Sequence, residues 1–158
     1  MSTVRAFGDV ALDTRRIYAV RLVEVPRRDP DAFDGFAEAR LYVDGPDYGS
    51  VRTHETVVGD DAVNGVIRFV ELQQADRQRL ARVPAQGKGR PAWLWAVDLA
   101  RLYRATYDAD PKSGSVAFLL GDPVRVVEVK VPAADLRPLF EFLKEDGGAA
   151  ATPTERPA

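Results

Sequence analysis

The side chains in this chain best suited to chemistry on a ligand lie between Arg77 and Arg104. Seven basic residues (Arg77, Arg79, Arg82, Lys88, Arg90, Arg101 and Arg104) face a single acid, Asp98, and Trp93, Trp95 and Tyr103 are interleaved with them. Spaced cations can track phosphates and aromatic faces between them can stack bases, the combination a single-strand nucleic-acid binder uses. Trp93 and Trp95 complete the candidate contact set with the seven basic residues. A core built on the tryptophans, with the arginines as its solvated face, would give the same pattern. Local conformation separates the two: in a helix Trp93 and Trp95 point about 200° apart, whereas in a regular strand they share one face.

Other chemistry finds less material. The chain has no cysteine and one histidine, His54. Thiolate catalysis, disulfides and cysteine-based zinc or iron–sulfur sites are therefore excluded. A Ser-His-Asp arrangement would have to use His54, and no G-x-S-x-G elbow is present. Gly87-Lys88-Gly89-Arg90 lacks the glycine spacing and the Ser/Thr of a phosphate-binding loop. Asp29, Asp31 and Asp34 fall near calcium-loop spacing, but Phe33 and Arg40 occupy positions where an EF-hand needs oxygen ligands, so a solvated acidic turn is expected there. No glycine-rich dinucleotide fingerprint follows a strand. The residues nominate no catalytic group, metal or cofactor, and an enzyme of unknown class is the weakest of three readings.

Composition frames these choices. The chain has 158 residues, 46% hydrophobic and 29% charged, enough for a real core and far from wholesale disorder. The formal net charge of −2 conceals blocks of alternating sign: +3 over residues 1–28, −7 over 29–61, +5 over 62–104 and −3 over 105–158. Such blocks suit solvated strand faces or electrostatic association between proteins. No apolar run reaches membrane-spanning length and Met1–Val10 lacks a signal-peptide core, which predicts a cytoplasmic protein without membrane contact.

The elements that must position these residues read mostly as strands. Val4–Phe7, Val10–Leu12, Ile17–Val25, Ala37–Val43 and Val51–Val58 have strand composition, with Pro26–Gly35 as a loop. Ala37, Ala39, Leu41 and Val43 alternate with Glu38, Arg40 and Tyr42, as a strand with one wet face does. Asn64-Gly65 suggests a turn followed by a strand over Val66–Leu72, against a competing helix from Asp60. Gln73–Val83 favours helix by propensity. Residues 92–102 are read as helix and 104–109 as strand. Ser115–Leu120 and Val124–Val131 form a hairpin across Gly121-Asp122-Pro123, with a phase slip near Val126-Val127 that predicts a bulge or full burial. Leu136, Leu139, Phe140 and Leu143 mark one face of a helix capped by Asp135 and stopped at Gly147.

The expected fold is α+β: a mainly antiparallel sheet of about six or seven strands, curled into a half-barrel or sandwich, with one or two packed helices including a C-terminal one. Residues 1–146 form one domain and 147–158 a flexible Gly/Ala/Pro-rich tail. The favoured role is a non-catalytic interaction or assembly module, a structural or accessory subunit whose partners are other protein subunits in a homo-oligomer or larger assembly. The alternative is a nucleic-acid binder using the 77–104 segment.

Overall fold

A computed structural model describes residues 3–45, 54–73, 79–85, 89–108 and 112–155, the last ten as backbone only. Its fold is α+β, with ten strands in three antiparallel sheets and two helices among the described residues. The strands are β1 (Val4–Phe7), β2 (Val10–Asp13), β3 (Ile17–Glu24), β4 (Phe36–Val43), β5 (Glu55–Val57), β6 (Leu80–Pro84), β7 (Trp93–Asp98), β8 (Leu102–Tyr107), β9 (Ser113–Leu120) and β10 (Arg125–Pro132). The helices are α1 (Asp60–Glu71) and α2 (Ala133–Glu155).

The centre is a five-stranded sheet in the order β5-β4-β3-β7-β6. Both of its faces are covered. On one, Val20, Leu22, Leu41, Val43, Leu80 and Ala96 pack with Val63, Val66 and Val70 of α1 and with Phe7 of the β1–β2 hairpin. On the other, Tyr18, Tyr42, Val83, Trp95 and Val97 meet Val116, Phe118 and Leu120 of β9, Val127, Val129 and Val131 of β10, and Leu136 and Leu139 of α2. A bulge in β3 makes this possible: the register with β4 skips Tyr18, so Tyr18 and Ala19 both serve the second core while Ile17 and Val20 serve the first.

The second layer is a three-stranded sheet, β10-β9-β8. Helix α2 lies against it closely enough that a Cβ on Gly114 would run into Leu136 and the Thr106 carbonyl, so that position admits only glycine. Arg21, buried beneath the helix start, donates to Asp135 in the first turn of α2. The bond ties central strand to helix across 114 positions of sequence.

Several elements differ from the sequence expectations. Residues 60–71 are helix, not a turn and strand: Val63, Val66 and Val70 form one buried stripe, Asp60 and Asp61 suit the positive N-terminal end, and Asn64 faces solvent. The helix expected over Gln73–Val83 gives way to β6 at residues 80–84; residues 74–78 lie outside the described set. Residues 93–98 are strand rather than helix, and all six are buried. A strand paired on both sides and covered on both faces shows no alternation, so its apolar run imitates a buried helix. The slip near Val126 is neither bulge nor burial: the β9–β10 register is continuous, and Val124 and Val126 are exposed. Helix α2 begins at Ala133, ahead of the expected cap Asp135, whose carboxylate accepts from Arg21 instead of capping; its backbone continues past Gly147 through the strong helix formers Ala149–Ala151.

Candidate interaction surface

The structure accounts for the described basic residues of the 77–104 segment one by one, and each already faces a carboxylate. Arg79 donates to the carbonyls of Ile17 and of Thr14 (2.8 Å) and pairs with Asp98 at 3.2 Å. Arg101 lies 3.5 Å from Asp98 and 3.7 Å from Asp44, and Arg125 lies 3.6 Å from Asp44. These five groups form a chain of alternating charge that links β6 and β7 to the start of β10. Arg82 is 4.0 Å from Glu71, and Arg90 is 3.3 Å from Glu24, which Arg27 also holds at 2.7 Å. Arg104 pairs with Glu128 at 2.9 Å. Arg77 and Lys88 lie outside the described residues. Among the five described residues of the set, Arg79 and Arg101 are the pair brought together, and the group they share is buried Asp98.

The tryptophans are parted in spite of the strand. Val83 is opposite Trp95 and Pro84 is opposite Trp93, so Leu94 is an extra residue and the phase of β7 reverses there. Trp93 enters the first core, where its Nε1 donates to Glu71 at 3.1 Å, and Trp95 enters the second, stacked on Tyr42 at 6.2 Å. With both rings buried, neither offers a face to a base. Tyr103 does remain open, at 55% exposure, with the Arg104 guanidinium 5.5 Å from its ring centroid.

Tyr103 belongs to a surface that the sequence reading did not assemble, the outer face of the three-stranded sheet. Leu102, Ala105, Val116, Phe118, Val127 and Val129 point inward, and their neighbours point out. The outer rows follow from register. Arg104 is opposite Ala117, which is opposite Glu128; Thr106 is opposite Ser115, which is opposite Lys130; Leu119 is opposite Val126. A register shift between Leu102 and Arg104 makes Tyr103 the extra residue and turns it outward beside Arg104. The Arg104–Glu128 pair spans Ala117 from edge to edge, and Lys130 reaches Asp108 at 3.1 Å. Beyond these ion pairs Leu119, Val126 and Val124 present bare apolar surface. One signal could have found it: Val124 and Val126 break the inward phase of Val127, Val129 and Val131.

His54 sits at the other edge of the second core, 5.4 Å from the Tyr42 ring. Burial, and secondarily the nearby Arg40 charge, hold its imidazole below its ordinary pKa. Tyr18 is pushed well above the ordinary phenol range, chiefly by burial. Asp108 is held below the ordinary carboxylate range by the hydrogen bond from Lys130 and, next, by that from Ser113. Among the described residues no three His, Asp or Glu side chains gather in a metal-binding cluster. The acidic loop turns its carboxylates on its own backbone, Asp29 accepting from the Asp31 amide at 2.9 Å and Asp34 from that of Arg28 at 3.1 Å. Among the described residues no helix is long and apolar enough to cross a membrane.

Comparison of the chain with known protein families, with curated proteins and with solved structures finds no match in any of the three.

Proposed function

We propose that this chain is a non-catalytic interaction module, a structural or accessory subunit that acts through contacts with other protein subunits. The observation that carries this reading is the outer face of the three-stranded sheet. Nearly every large apolar side chain in the two sheets is spent in one of the two cores, yet Tyr103, Leu119 and Val126 stand in the open on this face, with exposed Val124 in the turn that leads into β10. A sheet face with an apolar patch beside charged residues is the kind of surface that protein partners cover.

The alternative reading, a single-strand nucleic-acid binder, draws on the basic content of residues 77–104. It requires Arg79, Arg82, Arg90, Arg101 and Arg104 to exchange their carboxylates for phosphates, and it leaves Tyr103 as the available stacking surface. Sedimentation of the purified chain, alone and with a fluorescent single-stranded oligonucleotide at low and moderate salt, separates the two. The interaction reading expects a species heavier than one chain, or a monomer competent for a protein partner, indifferent to the oligonucleotide. Co-sedimentation with the oligonucleotide that weakens as salt rises would replace it with the alternative.

A further inference from the structure

We infer that the outer face of the three-stranded sheet is a self-association surface, its partner a second copy of this chain related by a two-fold axis lying along β9. This rests on the interaction reading above and names the partner. The charges on this face are arranged symmetrically about β9. Across the face, the β8 side carries Arg104 and Asp108, and the β10 side carries Glu128 and Lys130. Each cation on one side of β9 is answered by an anion on the other: Arg104 by Glu128 through Ala117, and Asp108 by Lys130. When two such faces meet about an axis parallel to the strands, the β8 side of one copy lies over the β10 side of the other. Arg104 then faces Glu128 of the other copy, Asp108 faces Lys130, and Tyr103 faces Val126. An isologous contact demands a patch complementary to itself under rotation, and this antisymmetric charge pattern satisfies it.

The centre of the face is shaped for the same contact. Ser115 and Ala117 on β9 are small and lie below the flanking side chains, and Leu119, on the axis, is 38% exposed and would meet its own counterpart. Two sheets stacked this way keep their strands nearly aligned, the common packing of sheet on sheet. Three strands of about eight residues cover roughly 14 by 27 Å. That is about half the area per partner of a standard interface, so the dimer should be weak, with Kd in the micromolar range or above.

The test uses two single variants, R104E and E128R, and their mixture, by sedimentation velocity over a concentration series up to several hundred micromolar. The wild-type chain is expected to dimerise reversibly. Each variant alone places like charges together twice per dimer and should raise Kd on the order of 10- to 100-fold. The equimolar mixture should recover the wild-type affinity. In the mixed dimer the carboxylate introduced by R104E meets the guanidinium introduced by E128R, and the unaltered Glu128 of the first variant meets the unaltered Arg104 of the second. No change confined to one chain can give that recovery, since the internal Arg104–Glu128 pair is broken in both variants. L119D is expected to abolish association outright, and an unaltered circular dichroism melt would show that the fold survives it.

A wild-type dimer that both variants and L119D leave intact overturns this surface while leaving the interaction reading in place. A wild-type chain that stays monomeric and ignores the oligonucleotide overturns the second copy and confines the interaction reading to a foreign protein. A monomer with salt-sensitive oligonucleotide binding overturns both.

Discussion

The two large sheets of this protein spend their polar residues in different ways. In the five-stranded sheet both faces are roofed, and the two buried charges are held by ion pairs: Arg21 by Asp135, and Asp98 by the half-buried Arg79 and Arg101 at the sheet's margin. In the three-stranded sheet one face is core and the other is open, and its charges bridge exposed rows over small residues of β9. A charge in the first setting is a structural cross-link whose loss strands its partner in a poor dielectric. A charge in the second contributes little to stability and is free to set specificity.

Substitutions in the two settings should differ widely in cost. Trp95→Ala removes the ring that Tyr42 stacks on and empties the centre of the second core. It should cost about 3–5 kcal/mol in a denaturant titration, enough to unfold much of the population. Asp135→Ala leaves the Arg21 guanidinium buried without its carboxylate and should cost about 3 kcal/mol by the same measurement, while Asp135→Asn retains an acceptor and recovers part of it. A cost below about 0.5 kcal/mol for Asp135→Ala would show that the inner pair behaves like a surface pair. By contrast Glu128→Ala, on the open face, should change monomer stability by no more than about 0.5 kcal/mol.

The smallest effect concerns pH. The folded chain holds the His54 pKa below its unfolded value, so between the two the unfolded state binds more protons. Stability is then complete above the unfolded pKa of about 6.5 and declines as pH falls through and below it. His54→Gln should flatten the melting temperature between about pH 7.5 and 5.5 relative to wild type. A parallel fall in both would assign the pH dependence elsewhere.

The same contrast explains what could be read in the residues alone. The hairpin β9–β10 and the amphipathic α2 are legible because each has one covered side, and one covered side writes a period into the sequence. Strand β4 alternates as a wet-faced strand does through Glu38 and Arg40, yet Tyr42 on that face is buried in the second core. Strand β7 is not legible in this way: Trp93-Leu94-Trp95-Ala96-Val97 is apolar throughout because both faces are roofed, and a run of that kind fits helix and strand equally. In helix α1 the misleading signal is Asn64-Gly65, a turn dipeptide that here lies on a helix, with Asn64 toward solvent and Gly65 beside Phe7. The candidate contact residues were correctly seen as basic, but their carboxylates come from β3, α1, β10 and the loop after β4 as well as from Asp98, partners that only the tertiary fold brings near. The reversal of phase at Leu94, which separates the two tryptophans, leaves no trace in composition.

The order in which the layers appear along the chain bears on biosynthesis. Tyr18, Tyr42 and Trp95 have all left the ribosome well before the strands and helix that roof them, which are residues 113–143. Until that last stretch is made, the nascent chain carries an aromatic face open to its surroundings, the kind of surface that chaperones and neighbouring chains adhere to. A chain that ends after β8 lacks the residues that cover this aromatic face, and it is the completion of β9, β10 and α2 that takes the face out of reach.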